Sequence, residues 1–296
     1  MSRIHKPLDE QVILITGASS GIGLCTAFLA AERGARLVLV ARSEDTLSKL
    51  ADQINNSGGE AIYIAADVAK REQLEDAADQ AISYFGRIDT WVNNAGVSIY
   101  GRLDEVSEED SRRLFDTNFW GVVNGSLVAL PYLRQQGGTL INLGSEVSDA
   151  VIPLQGMYSA SKHAVKGFTD ALRVEVENLD KSSVSITLIQ PTAVNTPYPQ
   201  HAKNYMEKAP KLPTPMIDPQ QVAEAILEAA TDGGRDVKVG ALSVINTTMF
   251  KIMPSLADRM SAMQADRQQE DYEAPGQEGG LYRPVDTGRI YGQMPT

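Results

Sequence analysis

Residues 12–23 read VILITGASSGIG, an apolar run that leads into a turn rich in glycine and serine. The run at 12–15 is too short for a core helix and has the β-branched content of a strand buried on both faces. Beyond the turn, Ile22, Leu24 and Phe28 recur at helical spacing. The glycines therefore lie between a predicted strand and a predicted helix, a position where many folds hold phosphate.

The composition indicates one sizeable α/β domain and excludes some partners. The chain has 296 residues, 43% of them hydrophobic and 22% charged, with a formal net charge of -11. Nucleic acid or an anionic membrane surface would require a basic stripe, and the sequence has none. The N-terminus MSRIHKPLDEQ lacks the apolar run of a signal peptide, and no stretch is long enough to span a membrane. We therefore expect a cytoplasmic protein.

The cysteine and histidine residues predict neither a disulfide nor a metal site. Cys25 is the single cysteine and falls on the apolar helix behind the glycine turn, where a small buried side chain is the simplest interpretation. His5, His163 and His201 are scattered without the spacing of metal ligands.

Strand and helix patterns alternate along the chain. Further strands are predicted at 36–40, 61–66, 89–94, 139–144, 184–190 and 236–240. The connections are long enough for crossover helices, so the fold class is α/β with a doubly wound, mostly parallel sheet. Ligands of such sheets bind beyond the carboxyl ends of the strands.

The glycine turn has a recognisable spacing. Gly17 permits the sharp turn, Gly21 lets a pyrophosphate approach the backbone, and Gly23 allows close helix packing. Free amides and the helix dipole then face the anion. An ordinary glycine-rich loop is the alternative, but the flanking strand and helix argue against it. The spacing TGxxxGxG differs from G-x-G-x-x-G and is the pattern of short-chain dehydrogenases/reductases.

From about residue 8 to about residue 240 the chain resembles that family, with further motifs in the family's order. They are Asp67-Val68, the NNAG of residues 93–96, Asn118, Ser145, YSASK with Tyr158 and Lys162, and residues 191–196, PTAVNT. The resemblance implies a Rossmann fold in a single dinucleotide-binding catalytic domain over 8–240. Residues 241–296 form a C-terminal extension that we expect to be helical and then irregular.

The resemblance implies four catalytic residues, Asn118, Ser145, Tyr158 and Lys162. Asn118 is a poor helix former inside a long apolar helix, which favours a role, and the family uses it to hold a water. Tyr158 would be the proton donor or acceptor and Ser145 would hydrogen-bond the same substrate oxygen. Lys162 lies one helical turn from Tyr158, and we expect its ammonium to lower the pKa of the phenol and to bind the nicotinamide ribose.

The same resemblance implies most of the cofactor contacts, and Arg42 is added because of its charge at the end of the second strand. The full set is Gly17, Ser19, Ser20, Gly21, Ile22, Gly23, Arg42, Asp67, Val68, Asn94, Ala95, Gly96, Tyr158, Lys162, Pro191, Val194 and Thr196. For Asp67 an N-cap of the next helix is the alternative to an adenine contact, and for 93–96 it is an ordinary turn. Thr192 stands where the family usually has Gly, which would narrow the backbone path beside the nicotinamide.

The end of the second strand favours NADP over NAD. A carboxylate there would bind the ribose hydroxyls of NAD and repel a 2'-phosphate, but the chain has Ala41 and then Arg42. A guanidinium can pair with that phosphate in a bidentate manner. A solvated surface Arg is the alternative, and Glu44 and Asp45 would weaken the local field.

The predicted function is an NADP-dependent oxidoreductase that moves a hydride between nicotinamide and a hydrophobic ketone or secondary alcohol. The expected pocket positions, 98–100, 151–155 and 197–216, are mainly apolar or uncharged. One alternative is a cofactor-binding scaffold or sensor without turnover, which the intact Asn-Ser-Tyr-Lys set disfavours. Another is an epimerase or dehydratase relative, whose TGxxGxxG spacing is absent.

Two regions bear on assembly. Helices around 114–130 and 158–179 carry more apolar residues than one face needs, and the family pairs them with their twins, so a homodimer or homotetramer is expected. In the extension, Pro254 would start a helix with Leu256, Met260 and Met263 as an apolar stripe. The polar tail after 268 either frays, or crosses to a neighbour or closes over the pocket through the anchors Tyr282, Ile290, Tyr291 and Met294.

Overall fold

The computed structural model describes residues 5–274, 276, 278–285 and 288–292; the expected anchor Met294 lies outside them. The strands are β1 Val12–Thr16, β2 Arg36–Ala41, β3 Glu60–Ala65, β4 Thr90–Asn93, β5 Ile99–Tyr100, β6 Gly138–Leu143, β7 Val184–Pro191, β8 Lys203–Asn204, β9 Lys208–Pro210, β10 Asp236–Val239 and β11 Gln269–Glu273. The helices are α1 Gly21–Glu32, α2 Glu44–Asn56, α3 Arg71–Phe85, α4 Glu108–Phe115, α5 Gly121–Gln136, α6 Gly156–Arg173, α7 Tyr198–His201, α8 Pro219–Asp232, α9 Ala241–Ile252 and α10 Pro254–Ala262.

The central sheet has seven strands in the order β10-β7-β6-β4-β1-β2-β3, and each neighbouring pair is parallel. All seven predicted strands are therefore confirmed. The strand order reverses between β1 and β4, which makes the carboxyl ends of these two strands the topological switch point. The predicted doubly wound α/β fold is confirmed.

Strand β1 shows why both faces of the sheet are covered. Ile13 and Ile15 pack in the cluster that includes Leu24 of α1. Val12 and Leu14 point to the opposite face and pack in the cluster that includes Leu74 of α3. Because successive side chains of a strand alternate between faces, an unbroken apolar run needs a helical layer on each side.

Two helices contain a widened π turn that the sequence patterns do not predict. Asp116–Trp120 joins α4 to α5, and Val174–Leu179 continues α6. Such turns are rare and often mark functional positions. Asn118 lies in the first of them, so the residue that fits poorly into a regular helix sits where the helix is irregular.

The C-terminal extension folds back on its own chain. Its strand β11 pairs antiparallel with β9, and Pro254 occupies the first turn of α10 as predicted. The predicted stripe of Leu256, Met260 and Met263 is exposed, while Ala257 is buried. A helix packed through that stripe is therefore the wrong description, because the small Ala257 side of the helix contacts the protein.

No helix within the described residues has the length and apolar character needed to cross a bilayer. Cys25 is buried on α1, as the sequence analysis predicts. Its thiol has a pKa raised to about 11, chiefly by burial and then by Asp218 and Glu224.

Candidate active site

The glycine turn and the NNAG segment pack into one wall at the switch point. Gly17 has φ +67, and a Cβ there would lie 2.8 Å from the Cα of Ala95. The Asn94 amide donates to the carbonyl oxygens of Thr16 at 2.9 Å and Gly17 at 3.2 Å. At Gly23 the Gly17 carbonyl and the Asn94 amide leave no room for a side chain. Gly23 thus supports the turn rather than facing the cavity.

The N-terminus of α1 provides backbone donors at this wall. The first N–H groups of a helix have no intrahelical acceptor, so the amide of Ile22 remains available for an anion. The neighbouring amide of Gly21 donates to the carbonyl of Arg289, at 2.9 Å. A Cβ at Gly21 would lie 3.2 Å from the Cβ of Thr196. The space next to Gly21 is therefore occupied by the Thr196 side chain.

A cavity of about 260 Å³ begins at this wall and extends to Tyr158. It brings together most of the predicted site residues. Those that line it are Gly17, Ser19, Ser20, Gly21, Ile22, Arg42, Asp67, Val68, Asn94, Ala95, Gly96, Ser145, Tyr158, Lys162, Pro191, Val194 and Thr196. Gly23 and Asn118 are not among its lining residues and lie behind it.

Lys162 is a buried cation at the floor of the cavity, only 4% exposed. Its Nζ donates to the carbonyl of Leu143 at 2.7 Å and lies 5.7 Å from the ring centroid of Tyr158. Burial lowers the pKa of Lys162 to about 8, since desolvation disfavours the charged form. The ammonium is therefore charged at neutral pH and close to its titration point.

Tyr158 does not show the lowered pKa that the sequence analysis expects. Burial raises the pKa of its phenol to about 12, against hydrogen bonds with Tyr198 and Ser145 that lower it, and Glu146 raises it further. Desolvation of the phenolate outweighs these favourable contacts, and Lys162 is not among the causes of the shift. The phenol is thus held neutral, as a proton donor requires.

Ser145 is fixed by the short 3₁₀ turn Glu146–Ser148, which begins directly after it. The Ser145 hydroxyl accepts from the N–H of Val147 at 3.3 Å, and the backbone N–H of Ser145 donates to the hydroxyl of Ser148 at 3.2 Å. This reciprocal cap holds the Ser145 side chain at the end of β6, facing Tyr158.

Asn118 clamps the backbone that follows the NNAG segment. Its Nδ2 donates to the Val97 carbonyl at 2.9 Å, and its Oδ1 accepts from the Val97 N–H at 2.8 Å. The same Nδ2 lies 3.2 Å from the hydroxyl of Ser161, three residues after Tyr158 on α6. Asn118 therefore ties the cofactor wall to the catalytic helix, and its role in holding a water stays a prediction.

Asp67 and Arg42 lie at the other end of the cavity. The Asp67 carboxylate accepts from Arg113 at 2.6 Å and from the N–H of Ala69 at 3.1 Å. The N-cap of α3 is Lys70, so the alternative interpretation of Asp67 as a helix cap is wrong. Burial is the main cause that lowers the pKa of Arg42, with Asp67 acting in the opposite direction.

The Thr192 side chain fits into the structure because Gly240 beside it has no side chain. Its N–H donates to the Val239 carbonyl at 3.1 Å and its hydroxyl donates to Glu146 at 3.1 Å. A Cβ at Gly240 would lie 2.7 Å from the Thr192 methyl group, so the methyl occupies space that Gly240 leaves open. The side chain thus contacts Glu146 and Gly240, while the residue itself still lines the cavity.

Sequence reasoning missed two residues beside the reacting groups. Tyr198, the first residue of α7, stacks edge-on against Tyr158 at 5.5 Å and donates to Gln155 at 3.0 Å. Glu146 lines the cavity, and burial raises the pKa of its carboxyl against hydrogen bonds from Asn246 and Thr192. Tyr198 belongs to the predicted pocket segment 197–216 but has no motif that singles it out. For Glu146, the signal in the sequence is its position directly after Ser145.

Only some residues of the predicted pocket segments line the cavity. Lining residues from these segments are Ser98, Ile152, Gln155, Pro197, Tyr198, His201, Leu212 and Pro213. Tyr100 is fully buried, whereas Val151 and Met216 are exposed. The lining residues from these segments are therefore a mixture of apolar and uncharged polar types with one histidine, and Glu146 adds a carboxyl group to the lining.

Comparison with known proteins agrees with this geometry. A family model described as short chain dehydrogenase matches residues 11–207. An uncharacterised oxidoreductase of Bacillus subtilis, YxnA, is 44% identical over 282 residues, 94% of this chain and 79% of its own. The 11-beta-hydroxysteroid dehydrogenase A of Sesamum indicum is 36% identical over 239 residues, 77% of this chain and 67% of its own. The YxnA match must therefore reach well into the extension, beyond the family model.

Two solved structures share the fold. A short chain dehydrogenase/reductase from Burkholderia phymatum in complex with NAD superposes with a TM-score of 0.76 at 27% identity, over 85% of this chain and 96% of that one. An alcohol dehydrogenase from Thermococcus sibiricus complexed with 5-hydroxy-NADP gives 0.67 at 30% identity, over 77% and 94%. The chain belongs to the short-chain dehydrogenase/reductase family and is an NAD(P)-dependent oxidoreductase.

Proposed function

We propose that this protein is an NADP-dependent oxidoreductase that interconverts a hydrophobic ketone and the corresponding secondary alcohol. One observation carries the proposal. Tyr158, hydrogen-bonded to Ser145 and one turn from Lys162, lies in the same cavity as the glycine turn. A phosphate-binding turn and a proton donor in one cavity are what a nicotinamide-dependent carbonyl reaction needs.

The residues of the cavity suit a bound dinucleotide. The Ile22 amide at the start of α1 would hold the pyrophosphate, and Lys162 and Thr196 would hold the nicotinamide half. The Thr117 hydroxyl lines the cavity, is buried, and has no hydrogen-bond partner within the described part of the chain. A buried polar group of this kind favours a ligand or water that completes its bonding. A bound nicotinamide would supply or accept the hydride.

The proton chemistry belongs to Tyr158. Its neutral phenol would donate to the carbonyl oxygen during reduction, and the phenolate would take the proton back during alcohol oxidation. The Ser145 hydroxyl would orient the same oxygen. Lys162, with a pKa of about 8, is neutral where the phenol titrates at about 12, so it does not lower that pKa. At lower pH its ammonium would stabilise the phenolate that remains after proton donation, because a nearby positive charge favours the ionised form.

The cofactor preference rests on the end of β2. Ala41 provides no carboxylate to bind the ribose hydroxyls, and the Arg42 side chain lines the cavity at this point. A 2'-phosphate would gain a charge-assisted hydrogen bond there. The Asp67 carboxylate is already neutralised by Arg113 at 2.6 Å, so its repulsion of the phosphate is reduced.

The substrate class rests on the lining near Tyr158. Ile152, Leu212 and Pro213 contribute apolar side chains to the cavity, and Gln155 and Tyr198 add uncharged polar groups. The related proteins named for hydroxysteroid and alcohol dehydrogenation are compatible with such a substrate. A substrate carboxylate or phosphate would meet the Glu146 carboxyl at this end, which disfavours anionic substrates.

The test is a cofactor oxidation screen with NADPH and NADH against a panel of ketones and aldehydes that varies in size and charge. We expect turnover with NADPH and bulky uncharged ketones, and much less with keto acids. Preference for NADH would refute the role of Arg42. Tight cofactor binding with no turnover across the panel would favour a sensor without catalysis.

We also propose a homodimer or homotetramer. Trp120 and Leu127 are exposed near and along α5, and Val174 and Leu179 are exposed at the end of α6. A two-fold contact of these helices would bury side chains that are costly to leave in water. Light scattering at micromolar concentration should give at least twice the mass of 32.0 kDa; a monomer alone would contradict the proposal.

A further inference from the structure

Residues 278–285 and 288–292, here called the strap, contact two parts of the cavity, the first range at Arg42 and the second at the glycine turn. The strap begins beside α7, where the Gly280 N–H donates to the His201 carbonyl at 2.6 Å. Leu281 is fully buried and packs in a cluster with Ile99 and Leu114. A buried leucine at this point makes the strap part of the folded domain rather than a solvated tail.

Arg42 holds the strap through its backbone. Its guanidinium donates to the carbonyl oxygens of Gly280 at 2.5 Å, Leu281 at 3.2 Å and Arg283 at 3.4 Å. Arg113 donates from Nε to the same Leu281 carbonyl at 3.2 Å. Two cations at the adenosine end of the cavity are therefore oriented by one short stretch of backbone.

The strap reaches the glycine turn at its other end. The Arg289 carbonyl accepts from the Gly21 N–H at 2.9 Å, and the Ile290 side chain packs against the core cluster that contains β1. The Tyr291 hydroxyl lies 3.4 Å from Asp218. The strap therefore has contacts on both sides of the cavity mouth, at Arg42 and at Gly21.

The strap covers the cavity without filling it. Gly280, Pro284 and Val285 line the cavity, and a volume of about 260 Å³ stays open beneath them. A guanidinium has more N–H donors than the three that the strap engages, so Arg42 can bind the strap and a phosphate together. The open volume fits a wall over a bound ligand. Because Arg289 already holds the Gly21 N–H, the phosphates would be bound by the Ile22 amide and by the remaining Arg42 donors.

We propose that the strap is the outer wall of the cofactor site, lying over the adenosine phosphate half of a nicotinamide dinucleotide. The cofactor enters and leaves only when the strap lifts, and the closed strap orients Arg42 toward the phosphate. The inference rests on the proposed function only in that a nicotinamide dinucleotide, NADP or NAD, is bound. The strap is thus a part of the binding site that lies outside the matched family region, residues 11–207.

The test compares the full chain with a version that ends at Glu278, using stopped-flow fluorescence of NADPH and NADH without substrate. Without the strap, both association and dissociation should be faster. The dissociation rate should rise more than the association rate, by about tenfold or above, because affinity differences between related binding sites appear mostly in the dissociation rate. Tighter binding by the shortened chain would show a plug and overturn the proposal, as would unchanged rates.

Leu281→Ala in the full chain tests the same wall without a deletion. It should raise the NADPH dissociation rate in the same direction but by less, with a melting temperature that shows a folded core. Met263→Ala, at an exposed position of the extension, is the matched control and should leave both rates unchanged. Equal effects of Leu281→Ala and Met263→Ala would overturn the proposal. If the full chain binds neither cofactor, the proposed function is refuted. If the full chain binds a cofactor but its association and dissociation rates equal those of the shortened chain, only this inference is refuted.

Discussion

The two ends of the cavity are built in different ways. At the proposed catalytic end, Tyr158 and Lys162 project from α6, and Ser145 caps the 3₁₀ turn that follows β6. At the adenosine end, Arg42 is held by backbone carbonyls of a segment almost 240 residues away in the chain. The two ends differ in the sequence separation of their contacts: Lys162 donates to a carbonyl 19 residues away, whereas Arg42 depends on where a backbone 239 residues away comes to lie.

This difference separates chemistry from binding. Substitutions at the catalytic end should change the rate of turnover while the cofactor still binds. Substitutions at the adenosine end should change which cofactor binds and how long it stays. The following variants test that separation.

The largest effect is expected for Tyr158→Phe. Removing a positioned general acid should lower kcat by about 10²- to 10⁴-fold, because only the proton donor is lost. The Kd of NADPH, measured by fluorescence titration, should stay nearly unchanged. The conservative change keeps the ring that packs on Tyr198. A variant with near-normal kcat would assign the proton to another group.

The next largest effect is expected for Ala41→Asp combined with Arg42→Leu. The new carboxylate would bind ribose hydroxyls and repel the 2'-phosphate, and the phosphate partner would be gone. The ratio of kcat/KM for NADPH to that for NADH should fall by about 100-fold, since two charge interactions of one to two kcal/mol each are reversed.

Arg71→Leu is the control for this double variant, because it removes one exposed positive charge that pairs with Glu75 on the same helix. Its cofactor ratio should match that of the wild type. If the wild-type protein already favours NADH, or if the control shifts the ratio equally, the assignment of Arg42 fails.

A smaller effect is expected from pH. The pKa of Lys162 is lowered to about 8 by burial, so its positive charge is nearly full well below that pH and is lost as the pH rises through it. Carbonyl reduction should therefore be level at neutral pH and fall above about pH 8, approaching tenfold per unit, in a profile of kcat/KM.

Lys162→Arg sharpens this prediction, because a guanidinium stays charged throughout the accessible range. Any activity that remains in this variant should lose the alkaline decline. A wild-type profile that stays level to about pH 10 would show that the charge of Lys162 is not needed.

The smallest effect is expected for Thr192→Val, at the catalytic end. The variant keeps the shape but loses the hydroxyl that donates to Glu146, which should cost about 1 kcal/mol in the free energy of unfolding. Denaturant unfolding measures this cost, and kcat and KM should change little. A large rise in KM with unchanged stability would mean that the Thr192 hydroxyl contacts the substrate.

The sequence predicts the catalytic end well because its signals are local. Tyr158 and Lys162 are one helical turn apart, and the spacing of Gly17, Gly21 and Gly23 specifies a turn between a strand and a helix. Each of these patterns spans a few residues, and backbone geometry alone places its members together. The seven strands of the sheet follow from apolar runs of the same short range.

The remaining features depend on contacts that leave no pattern in the sequence. Any residue type has a carbonyl, so nothing in Gly280 or Leu281 predicts an acceptor for Arg42. The pKa of Tyr158 follows the balance between desolvation and hydrogen bonds, which depends on the packed Tyr198 ring. Motif spacing gives the identity of the phenol but not the polarity around it.

The single thiol of the chain lies near one end of the strap. Cys25 is buried on α1, and after burial and Asp218 it is among the causes that raise the pKa of the Tyr291 phenol. With a pKa of about 11, the thiol reacts slowly with alkylating reagents while it stays covered. The rate of its labelling by a maleimide would therefore count openings of the protein surface near Tyr291. A saturating dinucleotide should slow that labelling, so the labelling rate of Cys25 in the native chain reports opening of this region.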